Sequence, residues 1–285
     1  GTPRTPCPRH RRLTPLSMTT PTRLLILKLG DTLPALKATH GDFEDWIAQG
    51  LSASEHPVTV SVLDPRRGDA LPRLTLQNGA PQAFDGVVLT GSHAMVTHRE
   101  AWSEHTAAWL RDAVHTSLPV LGICYGHQLL AHALGGTVDD HPGGLESGTT
   151  VIWRQPEADH DPLFADLPSH WNAQVSHRQT VSQLPHGAVL LAHNRFEPHH
   201  AFRFGACAWG VQFHPEFMPE ATRTYLLHQT VALTEQGLDP QRMQTEVQPT
   251  PEAASLLGRF ATWVATHRNT AVRPAATAAP APVPA

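Results

Sequence analysis

The sequence predicts an α/β protein: an open, mostly parallel, twisted sheet with helices on both faces in a flavodoxin-like arrangement, plus a small antiparallel β portion. Three observations predict it. Through the first half of the chain, short apolar runs alternate with helical patterns, which is how a parallel sheet crossed by helices is written. The residues best suited to chemistry stand where such runs end, and sites in open parallel sheets lie at the carboxyl ends of strands. In the second half the apolar runs are shorter and closely spaced, which suits antiparallel pieces joined to the same sheet.

The elements follow in order. Residues 1–21 are rich in Pro, Arg and Thr without periodicity and read as a disordered tail. Met18, just ahead of the first apolar run, is a candidate natural start, with an upstream extension before it. A single domain is expected over residues 22–268. Leu24–Leu29 is strand one, Phe43–Leu51 a helix, Val58–Leu63 strand two and Val87–Leu89 strand three. Residues 100–114 form a helix carrying Trp102, Trp109 and Ala113 on one side. Val120–Ile123 is strand four. A helix from His127 to Leu134 follows, stopped by Gly135-Gly136. Shorter strands are expected over Thr149–Trp153, Ala173–Ser176, Ala188–Ala192, Ala201–Phe204 and Ala208–Phe213, and a helix over Pro219–Leu233. Thr250 as cap and Pro251 in the first turn open a last helix over about 250–267. Its stripe Ala253, Leu256, Leu257, Phe260, Trp263 and Val264 covers the core. Residues 269–285 are Ala/Pro-rich and read as a flexible tail.

The sequence around Cys124 carries the chemistry. Gly122-Ile123-Cys124-Tyr125-Gly126-His127-Gln128 places a cysteine between two glycines where a buried strand turns into a helix. So sharp a turn strains the tip residue, and flanking glycines leave room for the crowded backbone. The tip side chain is exposed at a helix N-terminus, where the dipole favours a thiolate. The amide of Tyr125, next in the chain, is placed to donate to an oxyanion. Far along the chain, Cys207–His214 reads as a strand, and Pro215 biases His214 to an extended conformation. Residues two apart on an extended chain share a side. His214 can therefore act as general base and acid while Glu216 holds its tautomer, the logic of a catalytic triad with cysteine as nucleophile. Alone, a cysteine between glycines is ordinarily a small core residue, and His-Pro-Glu a loop. Together, each at a strand end, they point to amide chemistry.

The chain resembles the class I glutamine amidotransferases, and is similar to stand-alone proteins like the glutaminase domain of GMP synthase. The likeness rests on the Gly-Ile-Cys-Tyr-Gly-His-Gln run, Ser176-His177, and Gly-Val-Gln-Phe-His-Pro-Glu, in that order, within residues 24–233. The resemblance implies that Cys124 attacks the side-chain amide of L-glutamine, that ammonia leaves, and that a γ-glutamyl thioester is hydrolysed. It implies His214 as base and Glu216 as its partner. Gln128 then helps bind glutamine, and the backbone at Ser176 and His177 holds the substrate's amino-acid end. After strand three the family pattern Ser-Gly-Gly-Pro is replaced by Thr90-Gly91-Ser92-His93. The second oxyanion donor maps to the amide of Ser92, beside Gly91, and a serine tolerates positive φ less well than glycine.

Bulk properties bound the rest. A 40% hydrophobic share over 285 residues suffices for one large α/β domain, and a formal net charge of −4 argues against a nucleic-acid partner held by charge. No apolar run spans a bilayer, and no useful h-region follows Arg11-Arg12, so neither membrane insertion nor export is expected. Cys7, Cys124 and Cys207 form no disulfide framework, and a catalytic thiol kept reduced fits a cytoplasmic setting. The 20 histidines do not fall into metal-binding spacings, so no metal and no cofactor is expected. His199-His200 and His93/His98 read as exposed or hydrogen-bonded residues. There is no phosphate-binding loop, and no synthetase half is visible. Two further readings stand beside glutamine hydrolysis for an acceptor on a partner synthetase. One is an autonomous γ-glutamyl peptidase or amide hydrolase; the other is a non-catalytic binding protein on the same fold.

Overall fold

The structure is a computed structural model that describes residues 20–74 and 82–268. The expected tails, with Cys7, Arg11-Arg12 and Met18, lie outside the described residues, apart from Thr20 and Pro21.

The first half reads β1 (Thr22–Leu27), α1 (Pro34–His40), α2 (Phe43–Leu51), β2 (Val58–Leu63), β3 (Gly86–Leu89), α3 (Ala101–His115), β4 (Val120–Ile123) and α4 (Tyr125–Ala133). There follow β5 (Thr137–Asp140), β6 (Glu146–Arg154), β7 (His170–His177), β8 (Gln179–Gln183), β9 (Val189–His193), β10 (Ala201–Phe204) and β11 (Ala208–Val211). The chain closes with α5 (Pro219–His228), α6 (Thr230–Glu235), α7 (Pro240–Glu246) and α8 (Pro251–His267).

One sheet of nine strands has the order β2-β1-β3-β4-β11-β10-β9-β6-β7, and β5 and β8 form a separate pair. From β2 to β11 all neighbours are parallel. Beyond β11 the pairings are antiparallel. β11 is thus the strand at which the parallel half of the sheet meets the antiparallel pieces that the sequence pattern suggests. The central strands read as continuous apolar runs because both faces are covered. Along β1, Leu24 and Ile26 join a core with α2 and α8, and Leu25 and Leu27 join the opposite core with α3 and α4. This alternation is the period-two geometry of a strand.

Several elements differ from expectation. The helix after Cys124 begins at Tyr125, two residues early, because the turn feeds straight into it. The helix expected over Pro219–Leu233 is broken at Gln229, whose side chain turns inward to bond Ser147 and Ser176. Thr250 makes no side-chain cap, leaving Pro251 as the start signal. The buried face of α3 is Ser103, Thr106, Ala107, Leu110 and Ala113, with the tryptophans at its margins. β5, β8, α1 and α7 lack strong sequence periodicity and are additions to the expected elements. Among the described residues no helix is long and apolar enough to cross a membrane.

Candidate active site

Cys124 stands between β4 and α4 with φ 52° and ψ −103°. That combination is sparsely populated for a residue with a Cβ, and its strain is held by the surrounding packing. Two glycines make the turn possible. A Cβ on Gly122 would overlap the carbonyl of Gly126, and one on Gly126 would come within 2.5 Å of the Leu89 side chain and 2.9 Å of its carbonyl. Tyr125 opens α4 with its amide unpartnered by main chain among the described residues, as expected of a first helical turn.

His214 arrives from the neighbouring strand. β4 and β11 pair in register, Ile123 with Val211, and the amide of His214 donates to Gln174 of β7 at 2.8 Å. Glu216 Oε1 accepts from His214 Nδ1 at 2.5 Å, which leaves Nε2 as the nitrogen available to a substrate. Both residues are buried. Burial by itself depresses the imidazole's proton affinity. The Glu216 carboxylate and the nearby Cys124 sulfur outweigh it and raise the pKa to about 10. The ring of Phe217 stacks on His214 at 4.0 Å between centroids, with Phe43 on the same aromatic wall at 6.1 Å.

The wall opposite is the loop after β3. A Cβ on Gly91 would meet His214 Cε1 at 3.0 Å and Cys124 Cβ at 3.7 Å, so glycine lets the loop lie against both groups. Ser92 does not take a positive φ, and the serine in place of glycine is accommodated without strain. Its amide has no main-chain acceptor among the described residues. Ser92 also packs against Gly30, where a Cβ would meet the Ser92 Cβ at 2.8 Å. Sequence reasoning missed Gly30, since nothing local marks a glycine whose partner stands in a distant loop.

Ser176, His177 and Gln128 separate into different roles. The Ser176 carbonyl lies 3.7 Å from Cys124 Sγ, and its hydroxyl accepts from Gln229 Nε2 at 2.8 Å. Gln128 Nε2 donates to the Gln179 carbonyl at 2.9 Å and to Gln212 Oε1 at 3.0 Å, leaving its oxygen toward the cleft. The His177 ring is anchored away from the thiol. Nδ1 bonds the Gln179 carbonyl at 2.8 Å and Nε2 bonds Glu146 Oε1 at 2.8 Å. Glu146 also bonds His200 Nε2 at 3.0 Å and Asn194 Nδ2 at 2.7 Å. Of the two states expected for His200, exposed or hydrogen-bonded, the structure shows the second, with the ring fully buried. Burial opposes charge on both partners, yet the His177–Glu146 pairing raises the imidazole's pKa and, with His200, holds the carboxylate below its usual range. The liganding atoms of Glu146, His177 and His200 lie within 4.8 Å of one another, and in this structure they are bonded to each other, the carboxylate oxygen facing both imidazoles.

These parts surround a cleft of about 240 Å³ that takes in Cys124, Tyr125, Gln128, Ser92 and His214. Its outer wall includes His93, whose Nε2 lies 2.8 Å from Tyr225 Oη; burial, and then the charge of His214, lower the His93 pKa. A thiol, a buried imidazole with an orienting carboxylate, and two free amides can together perform nucleophilic acyl transfer.

The family model described as glutamine amidotransferase class-I matches residues 40–233. GMP synthase (glutamine-hydrolysing) of Porphyromonas gingivalis is 36% identical over 143 residues, 50% of this chain and 27% of that protein. In Methanocaldococcus jannaschii, a protein named as one subunit of the same enzyme is 39% identical over 105 residues, 36% of this chain and 54% of that one. The chain thus spans about a quarter of the first and about half of the second. A crystal structure of a glutamine amidotransferase from Thermotoga maritima superposes with a TM-score of 0.65 at 20% identity, covering 86% of this chain and 98% of that one; at that identity it speaks for the fold.

Proposed function

This chain belongs to the class I glutamine amidotransferase family, and on that premise we propose that it hydrolyses the side-chain amide of L-glutamine and yields ammonia for an acceptor on a separate synthetase chain. The observation that carries the reading is the meeting of Cys124, on a strained strand-to-helix turn, with the His214–Glu216 pair on the adjacent strand.

The Cys124 thiolate adds to the amide carbon. The carbonyl electrons move to oxygen, which takes hydrogen bonds from the amides of Ser92 and Tyr125. His214 Nε2 gives its proton to the amide nitrogen, the C–N bond breaks, and ammonia departs, leaving a γ-glutamyl thioester. Water then adds to the thioester as His214 takes its proton. The C–S bond breaks, glutamate leaves, and the thiolate returns. Glu216 keeps Nδ1–H pointing at itself throughout and stabilises the imidazolium. Gln128 and the Ser176–His177 backbone hold the amino-acid end. The archaeal relative named as a subunit supports delivery to another chain. A reactive thiol fits a reducing, cytoplasmic compartment.

The test is release of ammonia and glutamate by the purified chain on L-glutamine and on a panel of γ-glutamyl peptides, with Cys124→Ala as control. Cys124-dependent turnover of glutamine supports the reading, and stimulation by a synthetase identifies the acceptor. Turnover of peptides far above glutamine would replace it with an autonomous γ-glutamyl hydrolase.

A further inference from the structure

The loop after β3 is governed by one hydroxyl. Thr90 is fully buried, and its Oγ1 accepts from the Leu29 amide at 2.8 Å. The single proton of that hydroxyl goes to the Gly91 carbonyl at 2.9 Å. The Gly91 oxygen is thereby held on the Thr90 side. In a planar trans peptide the C=O and the N–H point in opposite directions, so the Ser92 N–H points away from Thr90. This peptide joins a residue packed against His214 and Cys124 to one that lines the cleft. Its N–H has no main-chain acceptor among the described residues.

The opposite orientation is open to the main chain at Gly91, because glycine tolerates either sign of its dihedrals. A flipped peptide would aim the Gly91 oxygen where the oxyanion forms, and repulsion would replace a hydrogen bond. Two features oppose the flip. The buried Thr90 hydroxyl would lose its acceptor, and an unpaired buried donor is costly. The flip would also carry φ of Ser92 through half a turn, out of the negative range it holds and into one that a serine disfavours. Beyond the peptide, Ser92 Oγ accepts from the Ala94 amide at 3.1 Å, and His93 Nε2 meets Tyr225 Oη at 2.8 Å. Resting on the thioester chemistry proposed for the site, we infer that Thr90 is a positioning residue: its hydroxyl selects the orientation of the Gly91–Ser92 peptide in which the Ser92 N–H serves the oxyanion. Thr90 does not line the cleft and acts through that peptide.

Two reactions of Cys124 separate this role from a structural one. Acylation by p-nitrophenyl acetate passes through a tetrahedral oxyanion as the C–S bond forms and p-nitrophenolate leaves. Alkylation by iodoacetamide displaces iodide at a saturated carbon and forms no oxyanion. Both are followed with the full chain, and Cys124→Ala gives the background. Thr90→Val is expected to lower acylation about 10- to 100-fold while alkylation stays within a few-fold. Thr90→Ser, which keeps the hydroxyl, restores acylation. With L-glutamine, Thr90→Val lowers kcat and leaves KM within a few-fold. Acylation that keeps its parent rate, or falls in step with alkylation, overturns the inference. So does a Thr90→Ser chain no better than Thr90→Val, or the absence of Cys124-dependent acylation. Thr90-dependent acylation in a chain that does not turn over glutamine leaves the inference standing and removes the glutaminase reading instead. If Thr90→Val does not fold, the unaltered chain decides. Its acylation-to-alkylation ratio at Cys124 is expected to exceed that of N-acetylcysteine at least ~10-fold, and an equal ratio overturns the inference.

Discussion

The amide of Cys124 donates to the carbonyl of Val211 at 2.9 Å, so the proposed nucleophile is hydrogen-bonded to the strand that leads into His214. The spacing of nucleophile and base is in this way set by one inter-strand step of a parallel sheet, about 4.8 Å, and not by loop conformation. Both residues leave the sheet in the same direction because β4 and β11 are parallel.

Replacing Cys124 by alanine is expected to lower glutamine turnover by at least ~10³-fold while substrate binding persists, because the covalent route is lost. Steady-state kinetics and calorimetry on the same preparation check this. Residual turnover close to the parent rate would move the chemistry elsewhere.

Gly91→Ala separates activity from stability. The new methyl presses on His214 at 3.0 Å, displacing the base by a fraction of an ångström. A kcat loss of about 10- to 100-fold is expected, with a melting temperature close to that of the parent. A parent-like kcat would show that the loop has slack.

His214 carries a pKa raised to about 10, above its ordinary value of about 6.5. A raised imidazole contributes stability that is complete below about pH 6.5 and is lost as pH climbs through about 10. Activity that needs the protonated imidazole falls on the same alkaline side. Glu216→Gln removes the charge that raises this pKa, so the alkaline limb of the kcat/KM profile is expected to move to lower pH. A limb that stays in place would detach Glu216 from the base.

Glu146 gives a prediction about folding. Glu146→Ala leaves the buried His177 without its carboxylate, at a cost of about 3–5 kcal/mol in chemical denaturation. Glu146→Gln retains an acceptor and costs less. The sign with pH follows from both partners. The depressed carboxylate contributes above about pH 4.3 and fades as pH falls through its lowered value. The raised His177 contributes below about pH 6.5 and fades as pH rises through its raised value. The penalty of the substitution is thus largest between these limits, and a flat difference across that range would contradict the pairing.

Cys124→Gly is expected to be more stable than Cys124→Ala by about 1 kcal/mol, since glycine takes φ 52° at little cost. Equal denaturation midpoints would mean that the turn is unstrained.

The fold, and the three residues that the structure brings together at the candidate site, were legible because their signals are local. Apolar runs and their ends reveal β1 to β4, and Gly122 and Gly126 on either side of Cys124 mark the turn. His214 and Glu216 were legible through the Pro215 between them and the extended run before. What escaped depends on distance in sequence. Glu146 meets His177 and His200 only after β6, β7 and the segment before β10 come together. Gly30 reveals its need for a bare backbone only when Ser92 lies against it. The break at Gln229 is invisible in helical periodicity, because a polar side chain bonded inward resembles one facing water.

At the strained turn of Cys124, backbone geometry and the proposed chemistry pull in opposite directions: glycine would relieve the backbone at φ 52° and remove the proposed nucleophile in a single substitution. The same methylene and sulfur that would carry the proposed reaction thus sit on a main chain held in a conformation it would not otherwise choose.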